Sequence, residues 1–291
     1  MTKLSSKNGF AIIDKDPGWT SHDVVARARK ILDTRKIGHS GTLDPPATGV
    51  LILGIGKATR LLRFITDLRK EYVATMVLGS ETDTLDADGE ITETTEILPS
   101  LSQLQESARN YVGDIQQVPP MVSAVKIKGK RLYQLAREGK EVHRDPRNVT
   151  IHHIEIDQSS ENNVYQIKVS CGSGTYIRSL VSDIAEKSGS LAHVGTLRRT
   201  AIGSFDESLA NPIDGVRIIS MSEGLRDYEK ITVNADVGKR IKVGSVMGKE
   251  KLGIDIGSGP WPIVDENDEL LAVYENYNHD TVKPAVVISQ D

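Results

Sequence analysis

The run Gly38-His39-Ser40-Gly41-Thr42-Leu43-Asp44-Pro45-Pro46-Ala47-Thr48-Gly49 holds the densest set of chemically suggestive residues in the chain. Three glycines and two prolines in twelve positions impose a special backbone path. On that path sit one carboxylate, Asp44, and one imidazole, His39. Rigid loops on a scaffold are where catalytic groups sit, and an ionised carboxylate can act as nucleophile or base. An Asp followed by Pro is also an ordinary turn former, so spacing alone leaves both readings open. Other motifs fail. Gly54-Ile55-Gly56-Lys57-Ala58 has Leu51 and Ala58 where a phosphate loop needs Gly and Ser or Thr. The acidic run from Asp83 puts Thr84 and Thr95 at the first and last ligand positions of a calcium loop. None of the seven histidines has HExxH spacing. The single cysteine, Cys171, excludes an intramolecular disulfide and a cysteine-rich zinc site. No metal is expected.

The loop needs elements to hold it. Residues 9–14 form a short apolar strand that runs into the turn Asp16-Pro17-Gly18. Thr20 or Ser21 can cap a helix to about residue 32, with Val24, Val25, Ala28, Ile31 and Leu32 in one stripe. Residues 37–48 are expected as loop, 50–54 as a buried strand, and 57–66 as a short basic helix. Residues 71–79 alternate like a strand, 82–89 form an acidic turn, and helices are expected over 101–112 and 131–138. In 164–171, Tyr165, Ile167, Val169 and Cys171 share a face. After Gly174 a helix carries Ile177, Leu180, Val181, Ile184 and Ala185 at helical spacing, with Arg178 just off the stripe. A further strand is expected at 197–204. Past about residue 226 the pattern changes to short strands (241–247, 261–264, 269–274, 285–289) between Gly/Pro turns.

The chain has 291 residues, 38% hydrophobic and 26% charged, with net charge −4. That length suggests about two domains, and the mix argues against disorder. No apolar run approaches the ~20 residues of a membrane helix, and residues 1–9 lack the apolar stretch of a signal peptide. The chain reads as cytoplasmic. Charge is segregated: residues 1–70 carry thirteen Lys/Arg against six Asp/Glu, and 126–140 six against one. Residues 254–291 carry eight acids and one Lys. Separate basic segments suit a phosphate backbone even when the whole chain is slightly acidic.

The segment His39–Gly49 resembles the G-H-x-G-x-L-D-P-x-A-x-G signature of the TruB family of tRNA pseudouridine synthases, and Asp44 falls on that family's nucleophilic aspartate. Four further motifs follow in order. Asp14-Lys15-Asp16-Pro17-Gly18-Trp19-Thr20-Ser21 resembles D-K-P-x-G-x-[TS]-S with the proline displaced by one. Lys70-Glu71-Tyr72 resembles the K-x-Y motif, with Thr82-Asp83-Thr84-Leu85-Asp86 in register after it. Gly174-Thr175-Tyr176-Ile177-Arg178-Ser179-Leu180 resembles G-T-Y-I-R-x-L, and Ala192 to Thr200 resembles the segment that closes the site. The C-terminal part resembles the family's PUA-like domain far more weakly.

The resemblance implies an α/β chain of the α+β type: a large, mostly antiparallel sheet flanked by helices over 1–228, and a small β-rich PUA-like RNA-binding domain over 229–291. It implies that uridine 55 in the T-arm of tRNA becomes pseudouridine, by a monomeric enzyme that works without a cofactor. The implied catalytic residues are Asp44, Tyr72 and Arg178. Tyr72, Tyr176 and Leu197 would line the base site, His39 would hold the extruded nucleotide, and Lys15 would support the loop or a phosphate. Read alone, Tyr72, Tyr176 and Leu197 are ordinary core, His39 a turn residue and Arg178 a surface ion-pair partner. A base stacked in a folded arm cannot reach Asp44 without being flipped out, and RNA shape and phosphates would then guide recognition. Two rivals differ in class: a non-catalytic RNA-binding protein on the same scaffold, and a carboxylate-dependent hydrolase. The latter normally needs a second positioned acid, for which Asp83, Asp86 and Asp88 are the nearby candidates.

Overall fold

The computed structural model describes residues 7–123, 126–127, 130–132, 142–255 and 257–288. A nine-stranded sheet organises the first three quarters of the chain. Its strands are β1 (Gly9–Lys15), β2 (Ile37–His39), β3 (Thr48–Ile55), β4 (Lys70–Leu78), β7 (Gly113–Gln117), β10 (Arg147–Gln158), β11 (Val164–Cys171), β12 (Ala192–Ile202) and β13 (Phe205–Asp206). The spatial order is β1-β3-β12-β4-β11-β10-β7, with β2 on β3 and β13 on β12. All pairs are antiparallel except β12 with β3. Two small hairpins stand apart, β5 (Ser80–Thr82) with β6 (Ile91–Thr94) and β8 (Lys126–Ile127) with β9 (Lys130–Arg131).

Alternation decides which residues face the core. In β4, Lys70, Tyr72, Ala74, Met76 and Leu78 are buried, while the residues between them are half-exposed. Helices α3 (Leu101–Arg109) and α4 (Ile177–Lys187) cover that buried face with Leu104, Ala108, Leu180, Val181 and Ile184. Helix α1 (Ser21–Ile31) starts at a full capping box, in which the Thr20 hydroxyl accepts from Asp23 N–H and the Asp23 carboxylate accepts from Thr20 N–H. Its Val24, Val25 and Ala28 cover Ile13, Leu51 and Leu53.

A five-stranded sheet follows, ordered β14-β16-β17-β18-β15. These strands are β14 (Ile231–Thr232), β15 (Met247–Gly248), β16 (Trp261–Val264), β17 (Leu270–Asn276) and β18 (Thr281–Val287), with helix α5 (Ala235–Lys242) on one side. Val264, Leu270, Val273, Val286 and Ile288 join one apolar cluster with Phe10, Ile12, Val50 and Ile52 of the large sheet. Arg60 also donates to the Val287 carbonyl at 2.8 Å. Among the described residues, no helix is long and apolar enough to cross a membrane.

Several sequence expectations change. Residues 37–48 are not all loop, because β2 pairs with β3. The basic helix expected over 57–66 is a 3₁₀ turn followed by the single-turn helix α2 (Leu62–Thr66). Instead of a strand over 241–247, α5 ends at Lys242 and only Met247–Gly248 is extended. Asn234 caps α5 by accepting from Val237 N–H at 3.0 Å, and Asp236 and Lys239, Arg240 and Lys242 sit at the helix ends that favour them. The sequence reading also missed β10 and placed the start of β12 five residues late. The helix expected over 131–138 lies almost wholly outside the described residues.

Candidate active site

The loop that carries Asp44 leaves the sheet at β2 and returns at β3, and buried side chains fasten it from below. Ser21 fixes its middle: Leu43 N–H donates to the Ser21 hydroxyl at 2.9 Å. The Lys15 ammonium, 1% exposed, donates to the carbonyls of Trp19 (2.7 Å), Asp16 (3.0 Å) and Pro45 (3.1 Å). Burial pushes that ammonium down to about 8, against the pull of Asp44 and Asp16. All three Lys15 contacts are with backbone, so Lys15 is placed as a fastener beneath the loop. Gly49 closes the loop with φ +100°, and a Cβ there would run into the carbonyl of Arg199 on the parallel neighbour β12.

Arg178 approaches Asp44 from the first turn of α4. Its Nη2 lies 2.9 Å from Asp44 Oδ2, and its Nη1 lies 3.4 Å from Asp86 Oδ2. The same guanidinium donates to the carbonyls of Thr84 at 2.7 Å and Val122 at 2.8 Å. Arg178 is 3% exposed, whereas the Asp44 side chain keeps 35% exposure. A planar fork with its donors taken at fixed angles has little freedom to leave the pair. Burial raises the Asp44 carboxyl above the usual carboxylate value. Arg178 opposes the shift, Asp86 adds to it, and Lys15 opposes it less strongly.

Asp44 and Arg178 border a cavity of about 80 Å³ that is also lined by Thr42, Tyr72, Tyr176 and Leu197. Three elements converge here: the loop, the core face of β4 and β12, and the entry to α4. Leu197 reaches that face because β12 bulges between Val194 and Leu197, which sets Leu197 opposite Ala74 and Arg199 opposite Tyr72. Tyr176 is held by a two-way amide clamp. Gln117 Nε2 donates to the Tyr176 carbonyl at 3.0 Å, and Tyr176 N–H donates to Gln117 Oε1 at 2.8 Å. Burial raises the Tyr72 phenol, with Arg199 opposing, so the hydroxyl keeps its proton at neutral pH. A second, open cavity of about 580 Å³ shares Asp44, Arg178 and Leu197 with the first and runs past Pro17, Asp86, Thr196 and Arg198.

Five residues singled out from the sequence therefore line one cavity: Asp44, Tyr72, Tyr176, Arg178 and Leu197. His39 is not part of that lining. Its Nδ1 accepts from Gly41 N–H at 3.3 Å, and its ring stands edge-on to His22 with centroids 5.4 Å apart. Burial, with the charges of His22 and Arg199, lowers the His39 pKa. Sequence reasoning missed Asp86 as a second ion partner of Arg178, Gln117 as the Tyr176 clamp, and Arg199. Only strand parity could have exposed Arg199, which shares Leu197's face at i, i+2.

Residues 29–177 match the family described as TruB family pseudouridylate synthase (N terminal domain). A tRNA pseudouridine synthase B of Oceanobacillus iheyensis is 37% identical, with 97% of this chain and 98% of that protein covered. One of Alkaliphilus oremlandii is 42% identical over 82% of each. Among solved structures, a crystal structure of a Cbf5-Nop10-Gar1 complex matches with TM-score 0.73 and 25% identity, covering 99% of this chain and 86% of the other.

Proposed function

The chain belongs to the TruB family of pseudouridylate synthases, and on that premise we propose that it isomerises uridine 55 in the T-arm of tRNA to pseudouridine. The reaction breaks the N1–C1′ glycosidic bond, turns the base and forms a C5–C1′ bond. The observation that carries the reading is the Asp44–Arg178 contact at 2.9 Å on the wall of a cavity whose other walls are Tyr72, Tyr176 and Leu197.

In this reading Asp44 is the carboxylate that attacks C1′ or draws a proton in elimination to a glycal. Arg178 keeps it ionised and aimed. Tyr72 stacks on the extruded uracil, and its hydroxyl handles the C5 proton. Tyr176 and Leu197 close on the ring, and His39, on the same loop outside the cavity, holds the flipped nucleotide. Lys15 acts through the loop. Asp44 lies on the wall of a small cavity of about 80 Å³ between strands, loop and helix, where a base still stacked in a folded arm could not reach it, which supports base flipping. Residues 1–228 would form the catalytic domain and 229–291 the smaller RNA-binding one, in a monomer.

Incubating the purified protein with a uridine-labelled tRNA transcript tests this. Pseudouridine at one T-arm position is expected. Unchanged RNA that stays bound would support the non-catalytic alternative, and cleaved RNA the hydrolase.

A further inference from the structure

Arg199 is one of the most deeply buried side chains of the molecule, at 1% exposure. Desolvating a guanidinium costs several kcal/mol unless an anion or a full set of acceptors compensates. Among the described residues no carboxylate is in ion-pair contact with it; its acceptors include the carbonyls of Val50 at 2.7 Å, from Nε, and Gly41 at 3.3 Å, from Nη2, and its guanidinium also reaches the Tyr72 hydroxyl. Those two carbonyls belong to opposite ends of the Asp44 loop. Gly41 opens the tight stretch and Val50 follows Gly49, where the chain has rejoined β3. Arg199 itself lies on β12, two residues past Leu197 and directly across from Tyr72 on β4.

One side chain thus connects the nucleophile's loop, the strand that bears one cavity wall and the strand that bears another. Two of its neighbours show how strongly its charge is felt. Burial pushes the Lys70 ammonium down to about 8, with Arg199 next among the causes, and Arg199 also pulls the Tyr72 phenol against its burial shift. A neutral donor could bridge two carbonyls without the desolvation cost. Keeping a cation here fits a place where negative charge develops on the uracil ring and on the phenol.

We propose that Arg199 is a positioning residue of the reaction, a buried cation that straps both ends of the Asp44 loop to the strand facing Tyr72 and so sets the nucleophile against the base platform. The inference rests on the reading of Asp44 and Tyr72 given above. It requires that loss of Arg199 act on turnover and not on RNA capture, because Arg199 has no exposed surface with which to touch RNA.

Arg199→Met and Arg199→Lys are compared with wild type in single-turnover reactions on saturating tRNA, alongside tRNA Kd and circular-dichroism melting. For Arg199→Met the expected result is a turnover loss of about 30- to 100-fold with Kd within threefold, because a misplacement of about 1 Å costs on the order of 10²-fold. Arg199→Lys keeps the charge but reaches only one carbonyl, and should recover part of the rate. If Arg199→Met does not fold, Arg199→Lys decides, with about a tenfold turnover loss at unchanged Kd expected. A folded variant that turns over within threefold of wild type, or whose loss lies in Kd alone, overturns the proposal. Absence of isomerisation by the wild-type protein would instead overturn the functional reading beneath it.

Discussion

The two sheets differ most in what they bury. The nine-stranded sheet and its helices enclose Lys15, Lys70, Arg178 and Arg199, each at 5% exposure or less. The five-stranded sheet encloses Trp261, Ile263, Leu271, Tyr274 and Val282, and from residue 229 on no described charged side chain is buried. Apolar burial holds a sheet together at roughly 25 cal/mol per Å², and the C-terminal sheet needs nothing else. Buried cations add no stability of that kind. Three of the four, Lys15, Arg178 and Arg199, contact the Asp44 loop, which indicates that the large sheet gives up stability to fix the geometry of a carboxylate. The C-terminal sheet keeps its charge outside, where residues 254–291 are strongly acidic, and packs an apolar face on β1 and β3.

The largest expected effect among variants around Asp44 belongs to its partner. Arg178→Met removes the charge from a pair at 2.9 Å and strands two carboxylates. Losing a preorganised electrostatic partner of the reacting group costs about 10²–10³-fold in turnover, so a loss near the upper end is expected in single-turnover reactions at saturating tRNA. Tyr72→Phe keeps the ring face and removes the hydroxyl. If that hydroxyl handles the C5 proton, the loss should lie within the roughly 10²–10⁴-fold range of a lost general acid–base group. A near wild-type rate would leave Tyr72 only a stacking role.

In the proposed mechanism Asp44 works as the anion, and burial raises its carboxyl. Activity should therefore be present above that raised value and lost as pH falls through it, about tenfold per unit, with the limb starting above the ~4 of an ordinary carboxylate. A rate–pH profile checks the sign; a limb at or below ~4 would mean that Arg178 outweighs burial. The smallest effect on chemistry should come from the other sheet. Ile263→Ala, at a fully buried position, should cost about 2–5 kcal/mol in denaturant unfolding, yet leave turnover per folded molecule within about twofold.

The same contrast explains what could be read from the sequence. Local chemistry was legible where it is strong: the Thr20 cap, the alternation of β4 and β11, the glycines and prolines of the loop. Asp44, Tyr72, Tyr176, Arg178 and Leu197 could be named because they lie in contiguous motifs that resemble those of the family, although alone Tyr72, Tyr176 and Leu197 read as ordinary core, and they share one cavity. What escaped was interrupted pattern. In β10, Val149 and Ile151 keep period two, but the bulge between Ile151 and His153 shifts the inward residues to Ile154 and Ile156, so the longest strand reads as irregular. A second bulge hides the start of β12. Gly238 weakens the helical signal of α5. Arg199 escaped because the residue type does not tell the half-exposed Arg198 from the buried Arg199; only strand parity with Leu197 separates them, and the pairing then sends Arg198 to Asp14 and Glu207 and Arg199 beneath the loop.

The most direct test of Asp44 as the nucleophile is the Asp44→Asn variant, assayed for pseudouridine formation and tRNA binding in the same preparation. The side chain keeps its shape and loses its charge, so isomerisation should be abolished while tRNA Kd stays within about tenfold of wild type. Turnover above a few per cent of wild type would contradict the account.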